Sequence, residues 1–113
     1  MRIVKKPWGH EEIWAETLNY LGKIIVIEPG HKLSRQYHNL KEETFLVASG
    51  VLTLEIGADE ERSIFILREG DSFHCPAKTI HRMINADILS VRIIEVSTYH
   101  PDDVVRLEDD YQR

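Results

Sequence analysis

Gly30-His31-Lys32-Leu33-Ser34-Arg35-Gln36-Tyr37-His38-Asn39-Leu40-Lys41-Glu42-Glu43-Thr44-Phe45-Leu46-Val47-Ala48-Ser49-Gly50 holds the densest cluster of chemistry-bearing residues in the chain. Gln36 and His38 are two apart, so on a strand both side chains point to one face. The polar run Asn39-Leu40-Lys41-Glu42 is long enough to turn the chain and bring the Glu43 carboxylate back toward that face. His81 lies in a distant segment with its own Gly and Pro punctuation. Two imidazoles, a carboxylate and an amide oxygen converging in an apolar interior would form a mixed nitrogen and oxygen metal site, with positions left open for substrate. The competing reading is a set of buried polar groups that satisfy one another by hydrogen bonds.

Outward from this stretch, short apolar runs alternate with turn signals. Ile24 to Glu28 is β-branched and stops at Pro29-Gly30; Glu43 to Ala48 stops at Ser49-Gly50. Val51 to Ile56 follows at once and ends at Gly57-Ala58-Asp59, which suggests a hairpin. Ser63 to Leu67, Ser72 to Cys75, His81 to Asn85 and Leu89 to Val96 complete the series. Strands recurring this often predict an all-β sandwich or small barrel. The best helix signal is the tail, where Asp102 or Asp103 stands before Val104-Val105-Arg106-Leu107 and predicts one short turn.

The chain has 113 residues, 42% of them hydrophobic, which suits a single domain over 1–113 with a real core. Its net charge of -5 argues against nucleic acid or an anionic membrane as partner. A single cysteine, Cys75, excludes an internal disulfide framework and fits a reducing compartment. Met1 to Trp14 is too mixed for a signal peptide, and no stretch is apolar enough to span a bilayer, so a cytoplasmic protein is expected.

Gly30, Gln36, His38, Glu43 and Gly50 keep every spacing of the first cupin motif: glycine, five residues, histidine, one, histidine, four, glutamate, six, glycine. Gly70, Pro76, Lys78, His81 and Asn85 keep those of the second, with Lys78 where glycine is usual. Gln36 in place of the first histidine resembles the C-terminal domain of type II mannose-6-phosphate isomerases. So do Lys6-Pro7-Trp8-Gly9, Leu33 to His38, His81-Arg82, Ile94-Glu95-Val96 and the tail from Asp102 to Arg113, in which Gln112 departs from the family's closing Tyr-Gly-Arg. The resemblance implies a cupin barrel with a short C-terminal tail. It also implies one divalent metal on Gln36, His38, Glu43 and His81, with zinc first and manganese, iron, cobalt or nickel compatible. That domain is often fused to a guanylyltransferase, which this sequence lacks, so nucleotidyl transfer is not expected.

The leading functional reading is a metal-dependent aldose–ketose isomerase acting on a sugar phosphate, mannose-6-phosphate by resemblance. Such chemistry needs a base at the moving proton, and Glu95 and His31 are the candidates. Glu95 interrupts the apolar run Val91 to Val96: facing inward it would be a buried carboxylate, facing outward an edge charge. Lys78, Arg82 and Arg106 are candidates to hold the phosphate. Each has a plainer alternative as a turn lysine, an outward strand residue or a surface ion-pair partner. A non-catalytic carbohydrate-binding or regulatory cupin is the second reading. A ferrous dioxygenase is a third, and Gln36 weighs against it. Exposed strand edges and the family habit predict a homodimer.

Overall fold

The computed structural model describes residues 1–111; Gln112 and Arg113 of the closing signature lie outside them. The described chain is all-β: β1 (Arg2–Lys6), β2 (Gly9–Glu16), β3 (Tyr20–Ile27), β4 (Arg35–Tyr37), β5 (Glu43–Ser49), β6 (Leu52–Ile56), β7 (Ser63–Leu67), β8 (Ser72–Cys75), β9 (His81–Ile84), β10 (Val91–Thr98) and β11 (Val105–Glu108). A single 3-10 turn, Asp59–Glu61, interrupts them, and no helix among the described residues is long and apolar enough to cross a membrane. Two antiparallel sheets face each other, in the orders β1-β2-β3-β10-β5-β8 and β11-β4-β9-β6-β7. This is the double-stranded barrel that the two motifs imply.

β5 and β6 are consecutive in sequence but lie in different sheets, and the crossing is made at Gly50. Gly50 has φ +86°, and a Cβ there would come within 2.7 Å of the Ser90 carbonyl oxygen, so glycine is required on both counts. β6 forms a hairpin with β7 across Gly57, whereas β5 and β6, which follow each other at once, do not pair. Asn85, the last residue of the second motif, is fully buried and donates its amide to the carbonyls of Ile27 and Leu89, at 2.8 and 2.9 Å. Without those bonds its amide would cost what any unpaired buried polar group costs.

Two expectations are corrected. The tail forms no helical turn. β-branched Val104 and Val105 lead instead into β11, which pairs with β4, and the Asp103 carboxylate bonds another loop rather than capping its own segment. The charged N-terminus, not foreseen as regular structure, forms β1 and β2 and extends the first sheet beyond β3.

The strands carry the site because their inward faces change character along their length. On β10 the inward residues are Val91, Ile93, Glu95 and Ser97, all buried, with half-buried or exposed residues between them. The same change runs from Ile27 and Ile25 to Lys23 on β3, from Val47 and Phe45 to Glu43 on β5, and from Met83 to His81 on β9. One end of the barrel is therefore closed by an apolar core that includes Trp8, Leu52 and Leu54. Each such side chain contributes roughly 1.5–3 kcal/mol by burial. The other end is polar and opens into a cavity.

Candidate metal centre and cavity

The cavity has a volume of about 160 Å³, and Gln36, His38, Glu43, His81, Glu95 and Arg106 all line it. His38 stands just past β4, Glu43 opens β5 and His81 opens β9, so three separate segments deliver one cluster. All three are buried, and one ligand atom from each lies within 4.8 Å of the others. Glu43 Oε2 sits 3.3 Å from His38 Nε2 and 3.2 Å from His81 Nε2.

Hydrogen bonds on the far side of each ring fix its orientation. His38 Nδ1 lies 2.5 Å from the Asp103 carbonyl oxygen, and His81 Nδ1 lies 2.9 Å from that of Thr79. A carbonyl only accepts, so both rings carry their proton on Nδ1 and turn Nε2 toward Glu43. Glu43 Oε2 itself is buried without a hydrogen-bond partner. Three lone-pair atoms thus face one another at 3.2–3.3 Å along two of their separations, an arrangement that calls for a cation. Two atoms each about 2.0–2.1 Å from a tetrahedral ion stand roughly 3.3 Å apart, so these residues fit a divalent metal. The same demand acts on protons. Burial lowers the His81 pKa, but Cys75 and Glu43 outweigh it and raise it to about 10. Burial likewise pushes the Glu43 carboxyl up, and His38, His81 and Lys41 together hold it well below the ordinary range.

Gln36 pairs with His81 across β4 and β9 and reaches the cavity; its amide nitrogen donates to Ser34 Oγ at 3.1 Å. Glu95 faces inward, almost fully buried, directly opposite Lys23 on β3. Burial is the main cause that raises its pKa, with Glu43 adding to it and the Lys23 and Lys41 charges opposing it. Arg106 on β11 is exposed beside the cavity, in register with Gln36.

Three expected site residues lie elsewhere. His31 does not line the cavity; its Nδ1 lies 2.6 Å from the Tyr111 hydroxyl and its ring stacks on that side chain. Arg82 alternates with inward-facing His81 and Met83, so it points away. It donates to the Leu33 carbonyl at 2.8 Å and to Asp110 at 2.9 Å, fastening the tail to the barrel. Lys78 is exposed at φ +69°, the left-handed conformation that explains the motif's usual glycine.

The residues not foreseen are ion-pair partners. Lys41 Nζ lies 3.0 Å from Glu43 Oε1 and 3.3 Å from Glu95 Oε2, tying both carboxylates to one ammonium. Lys23 and Glu11 pair at 2.9 Å on the same wall. Asp103 accepts the backbone N–H groups of Asn39, Leu40 and Lys41, which hold its pKa down at about 2. In the sequence these residues read as ordinary charges, because nothing in their spacing marks them.

Comparison with known proteins agrees with this architecture. The chain is 35% identical over 113 residues to the alginate biosynthesis protein AlgA of Pseudomonas putida and 34% identical over 108 residues to a mannose-1-phosphate guanylyltransferase of Salmonella muenchen. These matches cover 97% and 93% of this chain but 22% of either relative, so the chain spans about a fifth of their length. Among solved structures, the capsular polysaccharide assembling protein CapF of Staphylococcus aureus superimposes with a TM-score of 0.85 at 19% identity, over 95% of this chain and 34% of that one. KdgF from Halomonas gives 0.76 at 19% identity, over 90% of both chains. A cupin-superfamily sugar phosphate isomerase from Silicibacter pomeroyi gives 0.69 at 24% identity, over 81% of this chain and 59% of that one. At these identities the likeness shows the fold alone. The family described as "Mannose-6-phosphate isomerase C-terminal" matches residues 1–109, and on that match, together with the barrel and its motifs, the chain is a cupin that belongs to the mannose-6-phosphate isomerase C-terminal family.

Proposed function

We propose that this cupin is a metal-dependent aldose–ketose isomerase of a phosphorylated sugar, with mannose-6-phosphate the first candidate. One observation carries the reading: His38, Glu43 and His81 converge on an unbonded carboxylate oxygen in the cavity that also holds Glu95. Gln36, His38, Glu43 and His81 would hold a divalent ion, zinc first, and when bound it supplies an electrophile for the C1 and C2 oxygens. The exchange moves one proton from C2 to C1 through an enediol, and one hydroxyl proton between O1 and O2, with no other reagent consumed. Glu95 takes the C2 proton and returns it at C1. Burial gives its carboxylate a higher proton affinity than an exposed glutamate has, which makes it a stronger base. Lys41 keeps Glu95 and Glu43 in place through one ammonium. Arg106 receives the phosphate beside the cavity, where bidentate donors suit phosphate geometry. The buried thiol Cys75 fits a reducing compartment, and we assign the protein to the cytoplasm.

The test is metal analysis of the purified protein, followed by proton exchange at C2 of mannose-6-phosphate in deuterated water. Metal-dependent exchange is expected. A second reading, a carbohydrate-binding module without turnover, draws on the engagement of Glu95 by Lys41. Tight sugar binding with no exchange across several phosphosugars and metals would select it.

A further inference from the structure

We propose that Asp103 is the positioning residue of the candidate metal centre: its carboxylate, seated in the amides of Asn39, Leu40 and Lys41, holds its own carbonyl against His38 and fixes the ring with Nε2 toward Glu43. This rests on the metal reading given above. Oδ1 accepts the Asn39 N–H at 2.9 Å; Oδ2 accepts those of Leu40 and Lys41 at 2.7 and 2.9 Å. Three consecutive backbone donors around one carboxylate form an anion-binding nest, and here its occupant is a side chain of the same protein. The nest lies between His38 and Glu43, so whatever fills it fixes the loop that separates two candidate ligands.

The same residue makes the orienting contact to His38. The Asp103 carbonyl oxygen lies 2.5 Å from His38 Nδ1, which sets the tautomer and leaves Nε2 as the ligand atom. Side chain and main chain of Asp103 thus grip one loop at four points. Two neighbours set the distance of that grip. The Lys78 N–H donates to the His38 carbonyl at 2.6 Å. β11 begins two residues after Asp103 and pairs with β4, with Val105 opposite Tyr37 and Arg106 opposite Gln36. Lys41, whose N–H enters the nest, carries the ammonium that holds Glu43 and Glu95. His38 and Lys41 are therefore placed by one anchor. His81 is oriented by a different carbonyl, that of Thr79, and serves as the ring for comparison.

Asparagine is a poor substitute. It offers one oxygen, and its NH₂ would face an N–H donor whichever way the amide turned. Asp103→Ala removes both carboxylate oxygens, and with them the three hydrogen bonds they accept, while leaving the backbone carbonyl free to drift. Two measurements test the proposal on the full chain. The first is zinc affinity by competition with a chromophoric chelator, for which a loss of about 10–100-fold is expected in Asp103→Ala, as for other groups that orient a metal-binding imidazole, and a smaller loss in Asp103→Asn. The second is the two-bond proton–nitrogen spectrum of the histidine rings in metal-free protein. The Nδ1–H signature of His38 is expected in the unsubstituted chain and is lost in Asp103→Ala, while the ring signals of His81 stay in place. A merely structural role would spare both rings in the folded variant, or disturb both. Zinc affinity within twofold of the unsubstituted protein, together with an unchanged His38 ring, overturns the proposal. If Asp103→Ala does not fold, Asp103→Asn is judged by the same two readings. If the unsubstituted protein takes up no zinc, the metal reading falls, and the His38 ring in the variants still decides the role of Asp103.

Discussion

Replacing Lys41 with methionine tests the electrostatics of the cavity in isolation. The ammonium is buried, with its side chain 10% exposed, and bridges two carboxylates that are each 3% exposed. At an effective dielectric of about 20, a pair of unit charges 4 Å apart attracts by roughly 4 kcal/mol. Lys41 has two such partners, and against them stands a desolvation cost of several kcal/mol for the ammonium. Removing one member of a buried charge network costs about 3–5 kcal/mol, because the charges left behind have no counter-ion. Lys41→Met is therefore expected to lose about 3–5 kcal/mol at pH 7, read from urea unfolding of metal-free protein with an unchanged m-value. The Glu95 pKa is already raised, and loss of the opposing Lys41 charge raises it further. The folded variant then binds the additional proton, so its deficit shrinks as pH falls. Adding Glu95→Gln should recover a large part of the loss. A single-variant cost below about 1 kcal/mol, or no recovery in the double variant, would refute the bridging role of Lys41.

Four further outcomes are expected. Arg106→Ala should weaken binding of a phosphorylated sugar by about 10–100-fold, from loss of a charge-assisted contact worth roughly 1.5–3 kcal/mol, and leave binding of the neutral sugar little changed in calorimetric titration. Lys78→Gly should raise stability by up to about 1 kcal/mol, since it relieves a non-glycine residue at φ +69°, in chemical unfolding at neutral pH. The Asp103 carboxyl is depressed from 3.8 to about 2, so its contribution is complete above the unfolded value and is lost as pH falls through the folded one. Acid unfolding of Asp103→Asn should accordingly lack that component. Light scattering should give a mass near twice the 13.2 kDa of the chain, because edge strand β7 exposes Ile64, Phe65 and Ile66 and carries no charge that would discourage pairing.

The barrel was legible because its signals are local. Pro29-Gly30, Ser49-Gly50 and Glu69-Gly70 mark turns through backbone conformation, and β-branched runs between them mark strands. The cluster of His38, Glu43 and His81 was legible because a strand's two-residue period and fixed motif offsets place side chains on one face. Arg82 was readable in part by the same rule, since alternation after His81 turns it outward. What remained hidden depends on pairing between distant segments. Nothing local distinguishes Lys41 from the exposed lysines, and its value comes from Glu95, 54 positions away and delivered by β10. The direction of Glu95 was open until the register of β10 with β3 and β5 placed it beside Lys23 and Phe45. The tail misled because an Asp before apolar residues is a helix-start signal, whereas this Asp is consumed by the amides of another loop.

The docking of β11 onto β4 also imposes an order of events during synthesis. A ribosome has made His38, Glu43, His81 and Glu95 before it reaches Asp103, and it reaches Glu108, Asp110 and Tyr111 later still. Those late residues are the ones that meet Arg35, Arg82 and His31 on the barrel. A chain that stops short of Asp103 holds every candidate ligand yet lacks the carbonyl that aims His38. If the centre takes up a metal, docking of the tail would be the step that sets His38 for it. Pulse-labelled chains stalled before residue 103 should bind zinc loosely and exchange it freely.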